Sequence, residues 1–247
     1  MTKPVVTIVI RTLNEAVSLS ELLSAIRSQQ GVDLSSVEII VVDNESTDNT
    51  IQIAKSFGVN VLTISRSDFT YPKSMNMGVA AANAPIVILM VGHAMPIGEF
   101  WLKSIFPYFN NPKVAGVYGA VLPSKNHGFF EGIMYRAAYT RSRVINPRVL
   151  HRYTTGAFGA TNLAMRKSFW EEHPFEEQYE LGGEDTHWAE WAFSRNLVIV
   201  REAAFTVRHS HGLGLKGLIA QLRYWKALEK PTAFSKDALS YRRDIKW

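Results

Sequence analysis

The stretch VEIIVVDNESTDNT, residues 37–50, starts as an apolar run rich in β-branched side chains and stops at three polar residues in a row, Asp43, Asn44 and Glu45. A strand with hardly any polar alternation is one covered on both faces, the position of a parallel strand in a sheet sandwiched between helices. In an open sheet of that kind, ligands collect beyond the carboxyl ends of the strands, where loops converge and helix N-termini point their positive ends. Asp43 therefore stands at the rim of a cleft. Two roles are open to it: a strand-end cap, with Asp48 capping the helix that follows, or an acceptor for a ring N–H of a nucleotide base.

Working outward, the same alternation of elements repeats. Residues 5–12 form a second buried strand, and Ser18 with Glu21 forms a capping-box signature ahead of Leu19, Leu22, Leu23 and Ile26, with Gly31 as a stop. A helix over about 47–57, closed by Gly58, leads to a strand at 59–64, which completes β-α-β-α-β, the start of a doubly wound sheet. A helix over 72–83, a strand over 85–91, a helix over 97–109 and a strand over 114–120 continue it. Residues 121–157 lose the regularity and read as a mobile or substrate-shaped segment. A strand at 158–165, the turn LGGED at 181–185, a helix over 186–195 and a strand over 197–203 complete the body. The expected organisation is one α/β domain, Rossmann-like with a mostly parallel central sheet and helices on both faces. It covers residues 1–212, which divide at about residue 120 into two halves. Residues 213–247 form a basic amphipathic extension. There, Leu215, Leu218, Leu222 and Trp225 make an apolar stripe beside Lys216, Arg223, Lys226 and Lys230, suited either to packing on the body or to lying on anionic lipid.

Composition narrows the function classes. The 247 residues contain 27 Lys and Arg against 22 Asp and Glu, a net charge of +5. That suits a polyphosphate ligand or an anionic membrane surface and is too small to indicate nucleic acid. Cysteine is absent, so disulfides and thiolate zinc sites are excluded and any metal must be held by His, Asp or Glu. The longest apolar run, residues 84–92, falls far short of the ~20 residues a spanning helix needs, and the first residues do not read as a secretory signal. The expected location is cytoplasmic, at or near the inner face of the cell membrane.

Beside Asp43, two constellations carry chemistry, and one expected motif is missing. The first strand is followed by neither GxxxxGK[ST] nor GxGxxG, so phosphates are not cradled by a glycine-rich loop, which argues against a nucleotidyltransferase. Gly182-Gly183-Glu184-Asp185 places two carboxylates at a helix start; they serve the helix dipole, or act as a general base beside an acceptor hydroxyl. His209 and His211, two apart on an extended segment, join His93 at another strand end as a metal or diphosphate site.

Taken in order, these pieces resemble the family 2 glycosyltransferases over roughly residues 5–225. VTIVIRTLNEAVSLSELLSAI resembles the family's opening strand and helix, VEIIVVDNESTDNT its VVDDGSTDGT, and FTYPKSMNMGVAAANAPIVILM the segment before its metal motif. GATNLAMRKSFW, LGGEDTHWAEWAF and VRHSHGLGL follow in the family's order. The HSH element and SDFTYPKSMNMG look most like the rhamnosyltransferase-type branch of bacterial surface polysaccharide assembly. The resemblance implies a GT-A fold and an inverting transfer from a nucleotide-diphosphate sugar, dTDP-rhamnose or a UDP-sugar, to a saccharide or lipid-linked saccharide. It implies that Arg11, Asn14, Glu15, Asp43 and Asn76 bind the donor, that Asp185, with Glu184, is catalytic, and that nucleotide-sugar binding falls in residues 1–120 and acceptor binding in 121–212; Lys73 and His93, which stand where the family carries other residues, are the further expected donor contacts. Gly183 and Trp188, flanking Asp185, are the expected acceptor contacts, although Trp188, like Trp101, Trp170 and Trp191, reads first as a core residue.

One departure bears on the cofactor. Where the family places an acidic DxD-like motif for Mn²⁺ or Mg²⁺, this chain reads Gly92-His93-Ala94. Three outcomes follow: His93, His209 and His211 form a nitrogen-rich metal site; cations such as Lys73, Arg11 or Arg208 neutralise the leaving diphosphate alone; or the fold is inactive and binds or senses nucleotide sugars.

Overall fold

The computed structural model describes residues 3–125, 127–134, 148–150, 158–180 and 182–228, with side chains of 148 and 224–228 excepted. At its centre β1 (Val6–Thr12) pairs in parallel with β2 (Val37–Asp43) on one side and β4 (Ile86–Val91) on the other. β3 (Asn60–Thr63) extends the sheet beyond β2. β9 (Asn162–Arg166) lies antiparallel between β4 and β6 (Val114–Tyr118), and β10 (Val198–Arg201) and β8 (Arg148–Leu150) finish the far edge. The order is β3-β2-β1-β4-β9-β6-β10-β8. This is the expected α/β architecture with a mostly parallel sheet, interrupted by β9 and by the edge strand β8.

The apolar strands are apolar because both their faces are covered. Val6, Ile8 and Ile10 of β1 pack with Leu19, Leu22, Leu23 and Ile26 of α1 (Ala16–Arg27) and with Trp101. The alternate residue, Val9, turns to the other face and packs with Val42 and with Met75 and Val79 of α3 (Tyr71–Ala81). A Cβ on Gly78 would lie 2.2 Å from Val9 Cγ1, so the absence of a side chain lets α3 sit directly on the strand. Each fully buried aliphatic side chain here contributes about 1.5–3 kcal/mol.

Three local expectations change. Helix α1 begins at Ala16 rather than beyond Ser18, and the Ser18 hydroxyl turns back to Glu15. The expected helix at 97–109 is a 3₁₀ run, Lys103–Asn110, because Pro107 inside it supplies no N–H. The expected strand at 158–165 starts only at Asn162.

A second, small sheet lies over the carboxyl rim. It consists of β5 (Met95–Pro96), β11 (Val207–Arg208) and β7 (Val121–Leu122) in the order β5-β11-β7. Its anchor is a close approach at Gly119, where a Cβ would stand 1.2 Å from the Phe205 carbonyl oxygen. The buried Asn162 amide donates to that same carbonyl at 2.5 Å. Of the segment expected to be mobile or substrate-shaped, residues 126, 135–147 and 151–157 lie outside the described residues. The extension begins as α7 (Leu215–Leu228), which packs on the body through Leu218, Ala220 and Gln221. Lys230 lies outside the described residues, and so do the side chains of Trp225 and Lys226.

Candidate active site

The rim is built where β1, β2 and β4 end. Asp43, fully buried, accepts from the Thr12 hydroxyl at 3.1 Å, the Ser46 N–H at 2.8 Å and the Ser46 hydroxyl at 2.6 Å. A carboxylate offers about four lone-pair positions, so three of them tie the β2 loop to β1 and about one remains. Beside it the buried Asn44 side-chain oxygen has no partner. Asn14, held at φ 55, crosses the same gap: its side-chain oxygen accepts from the Thr47 N–H at 2.8 Å and its own N–H donates to the Ser46 hydroxyl at 2.8 Å.

The small sheet assembles the histidines. Arg208 pairs with Met95, so the next residue, His209, is delivered beside the segment carrying His93. The His93 and His209 rings stack with centroids 4.6 Å apart, and His211 stands edge-on at 5.3 Å and 4.6 Å from them. One ring nitrogen from each of the three lies within 4.8 Å of the others. His93 Nδ1 is 2.5 Å from Glu15 Oε1. A carboxylate can only accept, so Nδ1 carries the proton and Nε2 keeps its lone pair. That Nε2 is buried and has no partner. A carboxylate behind a histidine that points an unpaired nitrogen into a cluster is the arrangement that orients a metal ligand. Burial, and then the neighbouring His93, hold His211 down to about 4 and depress His209 well below its ordinary value, so these two rings are neutral and able to ligate. The residues therefore fit a divalent cation favouring nitrogen, with Glu15 in support.

Glu131, which no sequence signal singled out, fixes this cluster from behind. Fully buried in α4 (residues 129–134), it accepts from the backbone N–H groups of His211 at 2.8 Å, Leu213 at 3.1 Å and Gly128 at 3.1 Å.

The acidic pair faces the same rim through Arg11. The Arg11 carbonyl accepts from the Gly92 N–H at 2.9 Å, which places Arg11 next to His93 along the rim. Its guanidinium lies over the Tyr71 ring at 5.0 Å and interacts with both Glu184 and Asp185. Nε and Nη1 are buried without hydrogen-bond partners. Gly182 and Gly183 take φ values of 124 and 101, open to glycine and strained for other residues, and turn the chain into α6 (Glu184–Ser194). Asp185 is then held by the Ala160 N–H at 3.0 Å and the Thr186 N–H at 2.7 Å. Burial raises its carboxyl above the usual range. Glu184 is buried, pushed up to about 8 by burial and by Asp185, with Arg11 opposing.

The family model described as Glycosyl transferase family 2 matches residues 7–172. The chain belongs to glycosyl transferase family 2. Among curated proteins it is 24% identical over 211 residues to the O-antigen chain rhamnosyltransferase RfbN of Salmonella typhimurium, covering 83% of this chain and 66% of that protein. It is 24% identical over 185 residues to the O-antigen chain rhamnosyltransferase WbaN of Salmonella anatum, covering 70% of this chain and 56% of that protein. The chain thus spans just under two thirds, and just over half, of these relatives. Among solved structures, the mannosyltransferase PcManGT of Pyrobaculum calidifontis, in complex with GDP-Man and Mn²⁺, superposes with a TM-score of 0.68 at 18% identity, covering 98% of this chain and 70% of that one. Glucosyl-3-phosphoglycerate synthase of Mycobacterium tuberculosis, with Mn²⁺, UDP and glucosyl-3-phosphoglycerate, superposes at 0.62 and 18% identity, covering 92% and 78%. The fold is the GT-A type of these glycosyltransferases.

On this family 2 scaffold the remaining expected site residues fall less centrally. Lys73, half-exposed on α3, pairs with Asp68 at 3.7 Å. Asn76 is fully engaged in joining α3 to the opposite wall: its oxygen accepts from Trp170 Nε1 at 2.9 Å and the Phe175 N–H at 3.1 Å, and its amide donates to the Phe175 carbonyl at 2.8 Å. Trp188 corrects an expectation. It is 0% exposed, stacked on Phe158, and donates to the His173 carbonyl at 2.9 Å, so it is core and has no surface for an acceptor.

Proposed function

We propose that the protein is an inverting glycosyltransferase that moves a sugar from a nucleotide diphosphate to an acceptor hydroxyl during assembly of bacterial surface polysaccharide, with Asp185 as general base. The observation that carries this reading is the Asp185 carboxylate, aimed by two backbone N–H groups into a rim that it shares with Arg11 and the three histidines. Asp185 takes the proton of the acceptor hydroxyl as that oxygen bonds to the anomeric carbon. The bond from that carbon to the phosphate oxygen breaks on the opposite face, and the electron pair leaves with the nucleotide diphosphate. Inversion follows from the single displacement. Its raised pKa makes Asp185 a better proton acceptor than an exposed carboxylate, while the unpaired Arg11 nitrogens supply donors that gain most as charge develops. Protonated Glu184 beside it adds no second negative charge against the incoming hydroxyl.

A divalent cation held by His93, His209 and His211, with Glu15 behind His93, would neutralise the diphosphate. The names of RfbN and WbaN favour a deoxyhexose donor such as dTDP-rhamnose, with a UDP-sugar next, and a saccharide or lipid-linked saccharide acceptor. A cytoplasmic location at the inner face of the membrane goes with a lipid-linked acceptor. Among the described residues no helix is long and apolar enough to cross a membrane; Leu215, Ile219 and Leu222 are exposed along α7 beside Lys216 and Arg223, a surface suited to peripheral contact.

The test is a panel of nucleotide sugars incubated with the protein and a saccharide acceptor, with Mn²⁺, Mg²⁺ or chelator, reading nucleotide release and the anomeric configuration of the product. Donor-specific release with inverted product supports the reading. Tight donor binding with no release would instead establish a binding or sensing module.

A further inference from the structure

A second cluster of metal-ligating atoms lies away from the rim, on the segment joining α5 (Lys167–Glu172) to α6. His173, at the end of α5, points Nε2 at Glu176 Oε1 from 4.0 Å; His187, one turn into α6, points Nε2 at the same oxygen from 3.8 Å. All three ligand atoms lie within 4.8 Å of one another. Both rings are already oriented by stacking: His173 on Trp191 with centroids 4.9 Å apart, His187 on Tyr179 at 5.0 Å. The second oxygen of Glu176 accepts from the Gln178 amide, which leaves Oε1 facing the histidines. Most telling, His173 Nε2 is buried with no hydrogen-bond partner, an unfavourable state that a bound cation would relieve.

We propose that His173, Glu176 and His187 form a second divalent-cation site, of the zinc class, that clips the segment after α5 to α6. Two imidazoles and a carboxylate are a three-ligand zinc set with one position open to water. Around a tetrahedral ion with ligands at about 2.0–2.2 Å the donor atoms stand ~3.4 Å apart, so the side chains need only draw in by small amounts. The nitrogen content disfavours Mg²⁺, which takes oxygen. Because α6 begins with Glu184 and Asp185, an ion here would stiffen the wall from which the acidic pair projects. The site does not depend on the transferase reading, since its ligands are separate from the rim histidines.

The test compares chelator-treated full chain with the Glu176→Gln variant, a loop substitution that preserves volume and leaves the rim intact. Bound zinc is counted by equilibrium dialysis with elemental analysis, and hydrogen exchange is followed by mass spectrometry with Zn²⁺ or Mg²⁺. The wild type should bind one more zinc than Glu176→Gln at concentrations that fill the wild-type site, with affinity at that site weakened by about 10-fold or more. Zinc, and not Mg²⁺, should slow exchange over residues 173–180 in the wild type only. Equal zinc counts in the two proteins, or no zinc-dependent protection of that segment, would overturn the proposal. A rim site that binds no metal would leave this result unaffected.

Discussion

At the scale of single residues, the site turns on groups whose hydrogen bonding is deliberately incomplete. Asp43 and Asp185 are both carboxylates at strand or helix ends, yet their environments differ. Asp43 accepts from the Thr12 hydroxyl and from the hydroxyl and N–H of Ser46, whereas Asp185 is oriented by two backbone N–H groups, with the Thr186 hydroxyl further off at 3.5 Å. Asp185→Asn should therefore lower turnover by about 100- to 10,000-fold, while nucleotide affinity by calorimetry stays near wild type; full activity in that variant would remove Asp185 from the chemistry. The role of Glu15 is separable from it. Glu15→Ala leaves His93 without the acceptor that fixes its tautomer, so Mn²⁺ affinity measured by titration calorimetry should weaken by about 10- to 100-fold, with the far-ultraviolet circular dichroism unchanged.

At the scale of elements, the site depends on pieces too short to announce themselves. Removing the Glu131 side chain takes the acceptor from the backbone N–H groups of His211, Leu213 and Gly128, of which the Leu213 bond is buried and worth about 1–3 kcal/mol and the other two are part-buried and worth less. Glu131→Ala should lower the urea midpoint clearly and Glu131→Gln less, because the amide oxygen still accepts. Gly119→Ala should be worse tolerated than typical overpacking, which costs about 1–3 kcal/mol, since its Cβ collides with backbone oxygen and not with a side chain that can swing away; soluble yield and urea titration read it. These are also the features that the sequence conceals. β1, β2 and β4 are legible because an apolar strand covered on both faces has a length and composition of its own. The strands β5, β7 and β11 have two residues each, below any periodicity, yet they bring His209 to His93. Glu131 sat in a stretch that looked irregular because its carboxylate serves turns and not a repeating element. Ser18 with Glu21 imitated a helix start because spacing records no φ or ψ, and Trp188 looked like an acceptor platform because proximity along the chain to Asp185 says nothing of which way a helix face turns.

At the scale of the whole molecule, Glu184 is held protonated by the protein's interior, and global stability should register it. Glu184 has an unfolded value near 4.5 and a folded value of about 8, raised first by burial and then by Asp185, and lowered in part by Arg11. Over that interval the folded chain binds more protons than the unfolded one, so this contribution to stability is complete below pH 4.5 and is lost as pH rises through 8. The buried histidines act in the opposite sense: His173, His209 and His211 titrate below their ordinary 6.5 when folded, so their contribution grows as pH rises and is complete above 6.5. Between pH 6.5 and 8 the slope therefore belongs to Glu184. Urea unfolding of the wild type should show the midpoint falling across that window, and Glu184→Gln, which buries a neutral side chain of the same shape, should flatten the fall. An identical slope in the variant would mean that Glu184 is ionised in the folded protein and that its charge is met by Arg11 instead of by a proton.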